Sequence, residues 1–204
     1  SETNIVTPQS QTKDQQMRPL AAIVFAALLT ACASTPDSVE LARELQPRTV
    51  WIVGADGQAV GQATFTEAPT GVLIHLEFLD RRLPPGWHGL HLHDHGDCSD
   101  FASGFQASGS HVTLNHNVQH GLLNRHGPEA GDLPSIFAAH AGIYGAEVFS
   151  PYVTLHSARI GNRLPLLDDD GAALLIHANA DDQSTQPIGN AGPRLACAAL
   201  TRLP

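Results

Sequence analysis

The chain consists largely of short β-type runs separated by turn residues, and this pattern restricts the folds open to it. Residues 49–53 are rich in β-branched side chains, and within residues 71–80 apolar and polar side chains alternate, as on a strand with one buried face. Further runs of this kind, with clusters of Gly, Pro, Asn and Asp between them, lie at residues 59–66, 90–93, 145–155, 172–180 and 195–203. The sequence after residue 48 shows no long amphipathic helix. The pattern therefore predicts an all-β sandwich or barrel.

Two segments of this region, residues 94–144 and 179–193, are long and poor in strand signals. Long loops on a β scaffold commonly carry function. The chain has 12 histidines, more than its 11 lysines and arginines, and eight of them fall between His88 and His126. Because imidazole is the commonest metal ligand in proteins, this enrichment predicts a metal site.

The charge balance excludes one class of partner. The chain has 20 acidic and 11 basic residues, which gives a net charge of −9, and Lys13 is its only lysine. Binding to phosphate backbones requires clustered lysine and arginine, so we expect no nucleic acid partner.

The N-terminal region differs from the rest of the chain. Residues 1–16 are polar and without periodicity, and we interpret them as an upstream extension or a cloning remnant. Residues 17–31 contain Arg18 and then a ten-residue apolar run at 20–29, which is typical of a signal peptide and too short to span a bilayer.

This run ends beside Cys32, which follows the small pair Thr30-Ala31, as in a bacterial lipobox. The sequence thus predicts a lipoprotein signal peptide, lipid attachment at Cys32, and a periplasmic protein anchored to a membrane, the outer membrane of a Gram-negative bacterium. Residues 32–48 would be a tether and residues 49–204 the folded domain. The alternatives are a chance cysteine after an ordinary secretory signal, or a buried helix.

His91 and His93 are candidate metal ligands because residues two apart on a strand point to the same face. Leu174 and Ile176 are expected to face the core, which places His177 on the opposite face. The strand-poor segment adds three further candidates, His111, His120 and Asp132. A histidine pair alone is a weak signal, since any polar strand face can carry it. The combination is far more specific.

With these residues the chain resembles the copper/zinc superoxide dismutases. The matching stretches, in the order of the family, are GWHGLHLHDHGDC (86–98), SGSH (108–111), QHGLLN (119–124), GDLP (131–134), LLIHANADD (174–182) and GNAGPRLAC (189–197). The resemblance covers residues 49–204 and implies an eight-stranded Greek-key β-barrel or sandwich with long metal-binding and substrate-guiding loops. With Cys32, it implies an exported bacterial member of lipoprotein type.

The resemblance also implies the cofactors, copper and zinc, and their ligands. The copper ligands correspond to His91, His93, His111 and His177. The zinc ligands correspond to His111, His120 and Asp132. Imidazoles suit both copper oxidation states, and imidazoles with a carboxylate suit zinc.

Five other residues take supporting roles from the same resemblance. Asp181 matches the carboxylate that orients ligands of both metals, and His88 is interpreted as a hydrogen-bonding neighbour of the site. Arg194 matches the arginine that attracts the anionic substrate. Cys98 and Cys197 match the disulfide of the family, which an exported setting permits.

The implied activity is the disproportionation of superoxide to O₂ and hydrogen peroxide at a copper ion that His111 bridges to zinc. Arg194 and His111 would be the catalytic residues. The alternative is a non-enzymatic copper- or zinc-binding protein on the same fold, because a fold alone does not define an activity. Arg194 favours the enzyme, since metal storage needs no anion-guiding arginine. Both a monomer and a homodimer are compatible with the sequence.

The chain departs from the family at Glu129, three residues before Asp132, where a third zinc-binding histidine is usual. Three interpretations are open: Glu129 ligates zinc, the nearby His126 replaces the missing histidine, or the protein works with copper alone. Carboxylate is an established zinc ligand, so we rank Glu129 first. A similar choice concerns His116, which could replace His120; the GLLN that follows His120 favours the latter.

A further departure concerns charge. Residues 178–193 contain acidic residues and no lysine or arginine. Arg194, directly after them, is the cation that remains to attract the substrate. With a net charge of −9, attraction of superoxide should be weak. We expect a rate constant below the diffusional ceiling of about 10⁹ M⁻¹s⁻¹, and pulse radiolysis at physiological ionic strength measures it. A rate at that ceiling would contradict the expectation.

Overall fold

The computed structural model describes residues 46–141 and 144–202. The predicted extension at 1–16, the signal peptide at 17–31, the lipid site Cys32 and most of the tether at 32–48 lie outside these residues. In the described part of the chain, no helix is long and apolar enough to cross a membrane.

The described residues form ten strands and two short 3₁₀ segments, Phe101–Ser103 and Gln106–Ser108. The strands are β1 Arg48–Gly54, β2 Ala59–Ala68, β3 Gly71–Phe78, β4 Gly86–His93, β5 Asp132–Ala138, β6 Tyr144–Ser150, β7 Val153–Thr154, β8 Leu164–Pro165, β9 Ala172–His177 and β10 Arg194–Leu200. Eight of them form one antiparallel sheet in the order β5-β4-β9-β10-β1-β2-β3-β6, and β7 pairs with β8. The two edge strands also contact each other, so the sheet is an almost closed barrel. The predicted all-β, eight-stranded Greek-key fold is confirmed.

The alternation of side chains along the strands separates the core from the outer surface. On β3, Ile74, Leu76 and Phe78 are buried, whereas His75 and Glu77 between them are exposed. The same alternation on the other strands fills the barrel with a single apolar cluster. This burial is the main stabilising contribution of the barrel, at about 25 cal/mol per Å² of apolar surface.

β5 was not predicted, because it lies in the segment 94–144 that lacks strand signals. Its sequence contains Pro134, which cannot donate a hydrogen bond to a neighbouring strand. The structure accommodates this proline because β5 is an edge strand and Pro134 is exposed. The predicted run at 145–155 is also wrong as one strand, since Pro151 separates β6 from β7.

The predicted disulfide is present between Cys98 and Cys197, with Cα atoms 5.8 Å apart. Beside it, Phe105 is fully buried in a small apolar cluster with Ala173 and Leu175 of β9. The disulfide and this cluster hold the segment after β4 against the outer face of β9 and β10. The loop that carries His111 is thereby fixed over the sheet.

Candidate metal centre

The strand β4 separates core residues from candidate ligands. Leu90 and Leu92 point into the barrel, and His91 and His93 point outward, yet all four are buried because the loops cover this face. His111 lies in the covering loop and pairs with His93 through an isolated β-bridge.

His177 ends β9 and completes the predicted copper set. The ligand nitrogens of His91, His93 and His177 all lie within 4.8 Å of one another. The ring of His111 stacks beside that of His91, with ring centres 4.2 Å apart. The structure therefore brings His91, His93 and His177 together and places the ring of His111 directly beside them.

Each of these four imidazoles has one buried nitrogen that finds no hydrogen-bond partner among the described residues. The atoms are Nδ1 of His91 and Nε2 of His93, His111 and His177. Buried polar atoms are nearly always hydrogen-bonded, and four orphans in one place require an explanation. A metal ion held by His91, His93 and His177, with His111 beside it, would give these nitrogens a partner.

The opposite ring nitrogens are held by acceptors. Nε2 of His91 lies 2.8 Å from Asp181 Oδ2, and Nδ1 of His93 lies 2.9 Å from Gly109 O. Nδ1 of His177 lies 2.9 Å from Gly192 O. Such partners fix the ring orientation and the tautomer, which leaves the orphan nitrogen free to bind a metal.

The predicted zinc residues form a second group next to the first. Ligand atoms of His111, His120, Glu129 and Asp132 all lie within 4.8 Å of one another. Nδ1 of His111 is 2.8 Å from Glu129 Oε2, and Nδ1 of His120 is 2.7 Å from Asp132 Oδ1. The second oxygen of Asp132 accepts the amide hydrogens of Gly121 and Glu129, so its first oxygen faces the rings.

The geometry favours one residue in each of the two pairs that the sequence left open, Glu129 or His126 and His120 or His116; it does not bear on the third interpretation, copper alone. Glu129 belongs to the cluster, whereas His126 is exposed and outside it. His120 is buried in the cluster, whereas His116 is exposed. The sequence pattern could not resolve the first choice, because the direction of each side chain depends on how the loop turns.

Asp181 connects the two groups. Its Oδ2 contacts His91 at 2.8 Å and its Oδ1 contacts His120 at 3.1 Å, and its side chain is fully buried. Asp181 therefore contacts one imidazole of each group. His88 lies nearby, with its ring nitrogens 2.7 Å from the carbonyl oxygens of His177 and Pro84.

Arg194 lies beside this centre and is held by the covering loop. Its Nη1 donates to Phe105 O at 2.6 Å and to Ser108 Oγ at 3.1 Å, and its Nη2 donates to Gly109 O at 2.8 Å. Arg194 lines a cavity of about 410 Å³, which we call the Arg194 cavity. Other lining residues are His93, His111, Glu129, Pro187 and Ile188. Both predicted metal groups therefore border one solvent-accessible space.

Burial keeps the imidazoles of His91, His93 and His177 neutral. It lowers the pKa of His91 to about 4, although the hydrogen bond to Asp181 opposes the shift. Burial, with a smaller effect of His91, lowers the pKa of His177 to about 3. The pKa of His93 also falls well below 6.5, chiefly through burial. Neutral imidazoles are the form that binds metal.

On the zinc side, nearby carboxylates raise the pKa values of the histidines although burial lowers them. Burial alone would lower the pKa of His120, but hydrogen bonds and charges from Asp132 and Asp181 outweigh it and raise the pKa to about 9. Asp132 and Glu129 likewise outweigh burial and raise the pKa of His111. The same contacts hold the pKa values of both aspartates well below their usual range, despite burial. A metal ion that binds here must displace protons.

The sequence interpretation did not identify Gln186 and Gln183. Both side chains reach from the segment before β10 into the loop that carries His120. Glutamine has no characteristic spacing or periodicity, so the sequence offered no signal for them.

Comparison with known proteins agrees with this geometry. The family model for copper/zinc superoxide dismutase (SODC) matches residues 59–200. The chain is 47% identical over 152 residues to the Cu-Zn superoxide dismutase of Caulobacter vibrioides. The aligned region covers 74% of this chain and 84% of the relative. A SOD-like protein from Bacillus subtilis has a similar structure, with a TM-score of 0.66, 34% identity and coverage of 74% and 97%. The Cu/Zn superoxide dismutase from Brucella abortus has a TM-score of 0.57, 27% identity and coverage of 76% and 99%. The chain belongs to the copper/zinc superoxide dismutase family.

The pKa values of His91 and His177 are lowered and that of His120 is raised, and these opposite shifts predict how the stability of the metal-free protein depends on pH. His91 and His177 take up protons near pH 6.5 only when unfolded, so the stability they contribute above pH 6.5 is lost as the pH falls toward 4. His120 has the opposite sign: its contribution is present below pH 6.5 and is lost as the pH rises through 9. We expect maximal stability near pH 6.5.

Urea unfolding of chelator-treated protein between pH 4.5 and 9 measures this profile. Each titrating group changes the free energy of unfolding by at most about 1.4 kcal/mol per pH unit. His177→Asn removes one acid-sensitive group, so its stability should fall less steeply below pH 6.5. An equally steep acid limb in this variant would contradict the interpretation.

Proposed function

We propose that this protein is a superoxide dismutase with copper at His91, His93, His111 and His177 and zinc at His111, His120, Glu129 and Asp132. The observation that carries the proposal is the set of four orphan imidazole nitrogens on adjacent buried rings beside an anchored arginine. Membership of the copper/zinc family supports the activity.

The donor sets fit the two metals. Neutral imidazoles in a buried site accept both Cu(II) and Cu(I), and two carboxylates with two imidazoles suit redox-inert zinc. When bound, copper supplies a centre that takes one electron from superoxide and returns it to a second superoxide. The protein determines which atoms surround that centre and which anions reach it.

Arg194 guides the anion. Its three hydrogen bonds to the loop hold the guanidinium in place and leave two of its five hydrogens without an acceptor among the described residues. His111 would supply one proton: its Nε2 has no hydrogen-bond partner among the described residues, so it can carry a proton and donate it to the reduced oxygen species. Solvent supplies the second proton, so that two superoxide anions and two protons yield one O₂ and one hydrogen peroxide.

Replacing Arg194 tests the activity. In the copper-loaded protein, Arg194→Ala should lower kcat/KM for superoxide by roughly tenfold to a thousandfold, because the cavity loses its guiding cation. Arg82→Ala is the control, since Arg82 pairs with Asp56 and does not line the cavity. Stopped-flow consumption of superoxide measures both variants.

The rival proposal is a non-enzymatic copper- or zinc-binding protein, and a similar chain from Bacillus subtilis is named only SOD-like. The Arg194 test separates the two. If the copper-loaded protein consumes superoxide no faster than free copper does, and Arg194→Ala has no effect, the enzyme proposal is wrong.

Glu129 is the feature of the zinc site that distinguishes this chain. After copper and zinc loading and dialysis, we expect equimolar metals in the parent protein and a clear loss of zinc in Glu129→Gln, because one anionic ligand is removed. His126→Gln should retain zinc, since His126 lies outside the cluster. Elemental analysis gives the ratios. Loss of zinc from His126→Gln alone would reverse the assignment, and a parent protein without zinc would favour copper alone.

For the N-terminal region we propose a lipoprotein signal peptide at 17–31 and a lipid on Cys32 that anchors the protein in the periplasm, at the outer membrane. The support is the apolar run at 20–29, which ends in Leu29-Thr30-Ala31-Cys32. Mass spectrometry of the membrane-extracted protein should show an acylated N-terminal Cys32, and Cys32→Ser should move the protein to the soluble fraction. An unmodified N-terminus, or one at another residue, would refute the anchor.

A further inference from the structure

We propose that Gln186 is a positioning residue for the zinc ligand His120, and that it couples the zinc site to the wall of the Arg194 cavity. The inference rests on the zinc site of the proposed function. It concerns the segment between His177 and Arg194, which supplies no zinc ligand of its own.

The side-chain amide of Gln186 binds both main-chain polar groups of His120. The amide hydrogen of His120 is donated to Gln186 Oε1 at 3.0 Å, and Gln186 Nε2 donates to His120 O at 2.8 Å. The other hydrogen of Nε2 is donated to Ser184 O at 3.0 Å. Asn124 also donates to His120 O, so only the amide hydrogen of His120 depends wholly on Gln186 among these contacts.

Neighbouring contacts keep the two segments in register. Gln183 accepts from the amide of Leu122 and donates to Leu133 O, both at 3.1 Å. The backbone at Gln183 approaches Gly121 so closely that a Cβ at Gly121 would overlap Gln183 O. Gly121 has φ +115°, which also favours glycine. The contact between the segments is therefore tightly packed and not a loose surface crossing.

The ring and the backbone of His120 are thus fixed by different parts of the chain. Asp132 and Asp181 orient the ring, and Gln186 orients the peptide groups from which the ring projects. A metal site tolerates displacements of only about 0.5 Å in its ligands. Partners that orient a ligand typically contribute about 10-fold to 100-fold to metal affinity.

The coupling to the cavity follows from chain continuity. Pro187 and Ile188 come directly after Gln186, and both line the Arg194 cavity. Gly189 then donates its amide hydrogen to Thr185 O at 2.6 Å, which closes a turn around Gln186. When zinc holds His120 in place, Gln186 restrains this turn and with it the cavity wall.

The test compares Gln186→Met, which keeps the length of the side chain and removes its hydrogen bonds, with Gln106→Met. Gln106 is a matched control because its side chain donates only to Gly104 O within its own loop. Competition with a chromogenic chelator measures zinc affinity in the full-length, copper-loaded protein. We expect zinc to bind about 10-fold to 100-fold more weakly in Gln186→Met and unchanged in Gln106→Met.

A second variant keeps the proposal testable if Gln186→Met folds poorly. Gln186→Glu retains the acceptor for the amide of His120 and loses the donor. Its zinc affinity should therefore lie between that of the parent protein and that of Gln186→Met. Unchanged zinc affinity in a folded Gln186 variant would overturn the positioning role.

Hydrogen exchange tests the coupling itself. Zinc should slow exchange of the Gly189 and Ala191 amides in the parent protein, and this protection should be largely lost in Gln186→Met. Equal protection in both proteins would overturn the coupling. These measurements do not depend on superoxide consumption, so failure of the proposed activity would leave them intact, and their failure would leave the activity intact.

Discussion

The structure depends on keeping a group of polar rings buried on the outer face of a β-sheet. The outer face of an antiparallel sheet is usually solvated, and burying an imidazole or a carboxylate without partners is costly. Here His91 and His93 share one strand with Leu90 and Leu92, so the same alternation that fills the barrel also presents the rings to the loops. The covering loop, held by the disulfide and by Phe105, buries the rings apart from the opening at the Arg194 cavity, and carbonyl and carboxylate oxygens satisfy the far side of each ring. What remains unsatisfied is one nitrogen on each of four adjacent rings, and a metal ion is the partner that suits such a set.

Much of this could be read from the sequence because it follows from short-range rules. A period of two places His91 and His93 on one face, and the order of the motifs places His111, His120, Asp132 and His177 with them. The resemblance to the family also implied the roles of Asp181 and Arg194, which no local sequence pattern indicates. The strand β5 was missed because Pro134 is compatible with a strand only at a sheet edge, and edge position is a property of the whole topology. The N-terminal signal and the lipid at Cys32 remain predictions.

The choices that the sequence left open share a physical cause. Glu129 and His126 lie three residues apart in a loop without periodicity, so no rule relates their positions to the directions of their side chains. The amide contacts of Asp132 with Gly121 and Glu129 settle that direction by folding the loop around one carboxylate. The role of Gln186 was hidden for a similar reason, since its partner is main chain 66 residues away and backbone groups carry no sequence signature.

The presence of Glu129 changes the electrostatics of the proposed zinc site. A zinc ion held by Glu129 and Asp132 has its two positive charges cancelled by two carboxylates, even before the shared imidazole is counted. With a histidine in place of Glu129, one positive charge would remain. Among the residues that line the cavity, Arg194 is the only lysine or arginine, and Asp94 and Glu129 oppose it. With zinc bound in this way, the copper centre would face a partner site without net positive charge, and an approaching anion would be drawn by a single guanidinium and by copper itself.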